Sequence, residues 1–470
     1  MLNRTTLWLL AVSALAGDWP GFRGPHGTGA TTEKGLPVEM SPAKNVVWKT
    51  AIPAGHSSPV LAGGAIFLTA YDPARLYVLC LDRESGALRW KAEVPRPRQQ
   101  ELHKSNSPAS PSAVSDGTNV YAFFTDFGLI SFDSRGKERW RLPLGPFNNP
   151  FGMGATPALT GDRLIVNLDS ETGSFILAVA KDTGRVIWRK ERPDVGRGFS
   201  TPVIWTPPVG SPQALVCGSY RMAAYDVEDG REIWSTRGLT WQLKPTPAID
   251  RATGRLFILG WAGGSDEGNQ EDVGPFADAL RRYDRNSDGR ISKEELGDPK
   301  LTADWRQMDL DIDGVIGDRD WQMYRSRRQA VNSVLALKLG GQGDATDQNF
   351  LWKYTKSLPN VPSPLLYEGV LYLLKEGGIL TALDAATGKV LKQGRLQGAV
   401  EPYFASPVAA DGKIYLLSHG GRLVVVKAGG DWEVLAVNDL DEECQGTPAL
   451  VDGRVYVRTR TALYAFAERR

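Results

Sequence analysis

Short apolar runs fill this chain, and eight of them open on the same signal, a Ser or Thr followed by Pro: Ser58-Pro59, Ser110-Pro111, Thr156-Pro157, Thr201-Pro202, Thr246-Pro247, Ser363-Pro364, Ser406-Pro407 and Thr447-Pro448. Successive prolines stand 52, 46, 45, 45, 117, 43 and 41 residues apart. Every interval except the fifth accommodates four strands of about 5 to 6 residues with their turns. A second signature follows five of the pairs at a constant phase: Leu81-Asp82 with Gly86 and Trp90, Phe132-Asp133 with Gly136 and Trp140, Asp182 with Gly184 and Trp188, Tyr225-Asp226 with Gly230 and Trp234, and Leu383-Asp384 with Gly388. It reads as strand, turn, strand. The Asp accepts from amides of a tight loop, the Gly takes positive φ, and the Trp gives its strand an apolar plate to pack on the next unit.

The period predicts an all-β ring, an eight-bladed β-propeller over residues 45–470, or seven blades if one weak unit is misread. The last unit has strands near Ala449–Val451, Arg454–Arg458 and Ala462–Ala467 and then ends at Arg470 without a fourth. Asn45–Lys49 resembles a fourth strand with no preceding three. Joining the two closes the ring and removes an exposed edge. Residues 17–44 then form an N-terminal arm.

The long interval exceeds a blade by about 72 residues, which fall between the strands near Leu256–Gly260 and Ser333–Leu337 in the fifth repeat. Within this insertion, residues 265–330, the stretch Asp284 to Glu295 matches the twelve-residue EF-hand calcium loop. Calcium takes six to eight hard oxygens, available from Asp284, Asn286, Asp288, the carbonyl of Arg290, Ser292 and both oxygens of Glu295. Gly289 permits the sharp turn, and Ile291 is placed to pair with a neighbouring loop. That neighbour is Asp309 to Asp320, with Asp309, Asp311, Asp313, the carbonyl of Val315 and Asp320 as ligands. Its twelfth residue is Asp, one methylene shorter than Glu, which predicts weaker calcium binding or a shift towards magnesium. Phe276, Leu280 and Tyr283, then Leu296, Leu301, Trp305 and Met308, have the spacing of packed flanking helices. One or two calcium ions are expected.

Composition narrows the function. Lys and Arg number 55 against 54 Asp and Glu, so no basic face is available for nucleic acid and no polybasic run for an anionic membrane. Residues 1–16, with Arg4 ahead of an apolar run and a small-x-small ending at Ala14-Leu15-Ala16, read as a cleaved secretory signal. The apolar run is too short to span a bilayer. Cys80, Cys217 and Cys444 allow at most one disulfide and no thiolate cluster. His26, His56, His103 and His419 form no metal-pair spacing, and no nucleophile elbow is present.

The repeat, with Ala382-Leu383-Asp384-Ala385-Ala386-Thr387-Gly388 as its closest copy and Lys392 where Trp is usual, resembles that of the pyrroloquinoline-quinone-like (PQQ) propeller superfamily. Asp18-Trp19-Pro20-Gly21-Phe22-Arg23-Gly24-Pro25 is similar to the opening segment of exported bacterial members. The resemblance implies a quinoprotein-like fold and a periplasmic or secreted location. It embraces both PQQ-dependent dehydrogenases and non-catalytic propellers of the outer-membrane-assembly (BamB-like) kind, so fold leaves activity open. The dehydrogenase features are missing: a vicinal Cys pair, a covalent haem motif and long loops to cover a quinone. His56, Trp241, Lys244, Glu401, Tyr403 and Glu443, just ahead of the Ser/Thr-Pro pairs, should line one end of the axial channel, either as a polar pocket with aromatic walls or as ordinary strand-start residues. The reading that follows is a monomeric, exported binding or scaffold propeller for a protein or envelope polymer. The insertion is expected to protrude from one rim without disturbing the axial core, no PQQ is expected, and a quinoprotein dehydrogenase is the alternative.

Overall fold

A computed structural model of the chain describes residues 17–261, 263 and 270–468, so the export signal read over 1–16 lies outside the described residues. Eight sheets form the ring, each with four antiparallel strands. Blade 1 runs through Val60–Ala62, Ala65–Tyr71, Leu76–Asp82 and Leu88–Val94, from the innermost strand outward. Blades 2, 3 and 4 begin at Val114–Ser115, Ala158–Thr160 and Val203–Trp205 and end at Glu138–Pro143, Val186–Glu191 and Glu232–Thr236. Blade 5 runs from Ala248–Asp250 to Phe350–Tyr354, blade 6 from Leu365–Tyr367 to Val390–Arg395, and blade 7 from Val408–Ala410 to Glu433–Asp439. Blade 8 takes three strands from the chain end, and Val46–Ala51 pairs antiparallel with Ala462–Phe466 to complete it. The ring is therefore closed by the N-terminal strand.

The Ser and Thr of the repeat form a hydrogen-bonded belt around the axis. Backbone amides donate to the hydroxyl of the next blade: Ser58 to Ser112 at 2.9 Å, Ser112 to Thr156 at 3.0 Å, and Thr156 to Thr201 at 3.1 Å. The belt continues from Thr246 through Ser363 and Ser406 to Thr447, which donates back to Ser58 at 2.9 Å. In blade 2 the belt residue is Ser112, which corrects the repeat position read at Ser110. The innermost strand starts two residues after the belt residue, at Val60 after Ser58 and Val114 after Ser112. Ser110 instead donates to the Ser107 carbonyl.

The second signature locks neighbours together further out. Trp48, Trp90, Trp140, Trp188 and Trp352 each lie against the turn glycine of the next blade, Gly86, Gly136, Gly184, Gly230 and Gly388. Their ring N–H groups donate to carbonyls of those same turns, as Trp140 does to Lys181 at 2.7 Å. A Cβ on Gly184 would sit 2.6 Å from the Trp140 ring, and its φ of +73° disfavours any side chain.

The N-terminal arm enters the axial channel. Trp19 bridges Leu61 of blade 1, Ser115 of blade 2 donates to the Pro20 carbonyl, and Ala30 bridges Ala409 of blade 7. Arg23, fully buried, reaches the carbonyl of Pro364 in blade 6 at 2.7 Å. Satisfying inner-strand backbone groups in this way is what a buried channel demands.

Candidate functional site

Strands alternate direction, so the loops after the second and fourth strands of every blade leave from one face. The insertion occupies the loop after the second strand of blade 5, between Arg255–Gly260 and Ser333–Lys338. It therefore shares a face with the segments that precede the belt, opposite the arm.

The described part of the insertion is a small helical lobe. Helices Phe276–Tyr283, Pro299–Ala303, Trp305–Met308 and Asp318–Gln329 surround a core of Ala279, Ile291, Leu296, Met308, Ile316, Trp321 and Tyr324. Its two loops pair through short strands, with Ile291 opposite Ile316, so the two position-eight isoleucines meet as their spacing predicts. In the first loop Asp284 accepts from the amides of Ser287 and Gly289 at 2.7 and 3.0 Å. Glu295 folds back over it, accepting from the amides of Arg285, Asn286 and Ser292. In the second loop Asp309, Asp311 and Asp313 each bring a carboxylate oxygen within 4.8 Å of the others. Asp320, despite its shorter side chain, reaches the amides of Leu310 and Gly317 at 3.3 and 3.1 Å. Asp309 is buried, and its Oδ1 has no hydrogen-bond partner among the described residues. A buried carboxylate oxygen without a donor is costly unless a cation meets it. The donor set is all oxygen, which suits a hard cation.

The second loop docks on the propeller through Leu310 while Asp311 to Gly314 stay exposed, so the lobe lies against the ring's face where an insertion standing clear of the rim was expected. Leu310 packs with Trp241 and Met323, and its carbonyl accepts from Asn148 Nδ2 at 2.9 Å. Arg319 donates to the carbonyls of Glu171 and Pro193 at 2.9 and 3.2 Å, and Tyr220 donates from its hydroxyl to the Met323 carbonyl at 2.8 Å. The contacts come from the loops of blades 2 to 4 because only that face is presented to an insertion leaving after a second strand. Beneath the lobe, Glu171 pairs with Arg197 at 2.8 Å, and the Arg197 guanidinium faces the Trp241 ring at 5.5 Å. Burial raises the Glu171 carboxyl and the Tyr220 hydroxyl above their ordinary values, the former against the pull of Arg197. None of Glu171, Arg197, Tyr220 or Arg319 is marked in the sequence, because each lies in an aperiodic loop or at a non-liganding loop position.

The six axial residues do not gather in one pocket. Trp241 is buried under the lobe. Lys244, pushed down to about 8 chiefly by burial, donates to Asn360 Oδ1. On the other side of the axis, burial, followed by the charges of Arg458 and His419, lowers His56 to about 4. His419 in turn lies 4.0 Å from the exposed Glu443. Glu401 accepts from Ser418 and from the Gly420 amide within its own blade junction. Tyr403 is wholly inside the core of blades 6 and 7 and donates to the Ala399 carbonyl, so the structure makes it a packing residue. The three cysteines are buried free thiols, with Cys80 and Cys217 raised to about 12 by burial. Among the described residues no helix is long and apolar enough to cross a membrane.

A family profile described as outer membrane protein assembly factor BamB matches residues 30–150, 74–264 and 172–469. Among solved structures, BamB from Moraxella catarrhalis superposes with a TM-score of 0.57 at 11% identity, covering 90% of this chain and 99% of that one. The computationally designed Ika8 protein gives 0.56 at 10% identity, covering 91% and 100%. A europium-containing methanol dehydrogenase gives 0.46 at 11% identity, covering 96% and 98%. No curated protein matches the sequence.

Proposed function

The chain belongs to the family described as outer membrane protein assembly factor BamB, and from that premise we propose that it is an exported, non-catalytic interaction propeller of the bacterial envelope whose inserted lobe binds calcium. One observation carries the reading: the chain itself uses both ends of its axis. Trp19 and Arg23 are buried in the channel from one face, and the lobe covers Trp241 from the other. Two of the six axial residues, Trp241 and Tyr403, are spent on packing, and loops, lobe and outer strands offer the recognition surface. In this reading Asp284, Asn286, Asp288, Arg290, Ser292 and Glu295 hold one ion, and Asp309, Asp311, Asp313, Val315 and Asp320 hold a second.

Affinity capture from the exported fraction tests the function, with full-length protein and with a form whose residues 271–329 are replaced by a short Gly/Ser linker. A partner retained in calcium and lost in chelator or on deletion is the expected result. Oxidation of an alcohol or sugar with added PQQ, abolished by Glu401→Gln, would overturn it. Titration calorimetry with calcium chloride tests the metal sites. Dissociation constants of about 10⁻⁴ to 10⁻³ M are expected for an exported module, weakened by Glu295→Gln in the first site and Asp309→Asn in the second.

A further inference from the structure

The outer strand of each blade is a sheet edge with unpaired backbone groups, and proteins commonly guard such edges with Lys, Arg or Pro. This ring does so in six blades: Arg89 and Lys91, Arg139 and Arg141, Arg189 and Lys190, Lys353, Lys392 and Arg395, and Lys49 lie within the outer strands of blades 1, 2, 3, 5, 6 and 8. Two outer strands hold neither Lys nor Arg, Glu232–Thr236 in blade 4 and Glu433–Asp439 in blade 7. The blade 4 edge is covered by the chain itself. Gly343–Asp344 adds to it as a fifth, parallel strand, with Trp234 opposite Gly343 and Ser235 opposite Asp344.

The blade 7 edge has no such cover among the described residues. It exposes Val434, Leu435 and Val437 at 41%, 44% and 39%. Beside it runs a groove of about 490 Å³ between Leu435–Asp439 and the arm segment Glu39–Lys44. The arm stops short of covering the strand. It is held at the strand's end by the Asn438 side chain, which accepts from the Met40 amide at 2.8 Å and donates to the Val38 carbonyl at 2.9 Å. Glu433 stands at one end of the open stretch and Asp441 beyond the other, while the nearby Asp431 is paired with Lys392 at 2.9 Å and Asp439 with Arg422.

We propose that the outer edge of blade 7, Glu433–Asp439, docks an extended segment of another protein, which joins the sheet as a fifth strand and carries basic residues at its ends. Main-chain hydrogen bonds supply the affinity, and apolar side chains of the incoming strand lie over Leu435 and Val437. Glu433 and Asp441 favour basic residues at the ends of the occupant. The inference rests on the reading of the chain as an interaction module and names one of its surfaces.

Fluorescence anisotropy on the full chain tests it, with a labelled synthetic peptide Lys-Thr-Val-Thr-Val-Thr-Lys, the same peptide N-methylated at alternate amides, and the acidic counterpart with Glu at both ends. The basic peptide should bind at least about tenfold tighter than either control, and Leu435→Lys should weaken it by a similar factor. Leu391→Lys, on the guarded edge of blade 6, should leave it unchanged. Equal binding of the N-methylated peptide, or no loss in Leu435→Lys, would overturn the proposal. So would a dimer in sedimentation velocity that Leu435→Lys dissolves. Partner capture by Leu435→Lys at the wild-type level, with no peptide binding by the wild type, would sink the edge and leave the interaction reading standing; loss of capture by the wild type itself would count against that reading instead.

Discussion

Each blade buries its middle strands almost completely, the Ser/Thr belt links blades on the inside, and a Trp-on-Gly lock joins five of the junctions further out, as at Trp140 and Gly184. The inserted lobe instead closes around seven buried side chains and devotes its longest loops to carboxylates, with Asp309 buried and one of its oxygens unmet. Redundant apolar contacts make the ring stable on its own terms, whereas a small core with concentrated acidic groups draws on the propeller face and, in the proposed calcium reading, on a cation. The lobe also touches the ring through few groups, Leu310, Arg319 and Met323, so its docking is adjustable in a way the belt is not.

The largest effect should come from breaking a lock in the ring. Trp140→Ala, at a residue 8% exposed, is expected to lower global stability by about 3 to 5 kcal/mol in urea unfolding. Trp321→Ala in the lobe should leave that main transition in place, and an equal loss from both would erase the distinction between the two regions.

A smaller, pH-dependent effect belongs to the ring, since the lobe has no histidine. The folded form of His56 titrates near 4, below the ordinary value of 6.5, so the unfolded chain takes up a proton the folded chain refuses. Stability should therefore be full above about pH 6.5, fall as pH drops towards 4 and level off below it, by about 3 kcal/mol in all. His56→Gln should flatten this trend in thermal melts across that range.

Calcium should act on the lobe alone. At about ten times its dissociation constant an ion adds about 1.4 kcal/mol to the state that binds it. Chelation should accordingly speed amide exchange across residues 271–329 while the blade strands keep their protection. Protection lost equally in Leu76–Asp82 would show that ring and lobe unfold as one.

The smallest change is Arg319→Ala, which removes two donors to the carbonyls of Glu171 and Pro193 and should cost about 1 kcal/mol of docking. Exchange should rise at both contact loops, with the calcium affinity of Asp309–Asp320 unaltered. A change in affinity instead would show that docking and metal binding are coupled through the loop.

The parts of this protein that repeat were legible in its sequence. The Ser/Thr spacing gives the blade count, the three-stranded remainder at the chain end gives the closure by Val46–Ala51, and the excess between Gly260 and Ser333 locates the lobe. These are consequences of local patterning, because strand periodicity, turn glycines and loop ligands act over a few residues and leave a mark at each copy. Even so, Ser112 shows the limit: its hydroxyl, not the Ser110-Pro111 pair, completes the belt, and strand register is settled by pairing rather than by the dipeptide. Only the folded ring decided that Trp19 and Arg23 fill the channel, that Tyr403 is core, that Leu310 meets Trp241 and that the edge at Glu433–Asp439 lies open while its counterpart in blade 4 is covered. Those contacts join residues far apart in the chain through single side chains, and an interaction made once, between two aperiodic segments, leaves no period for the sequence to display.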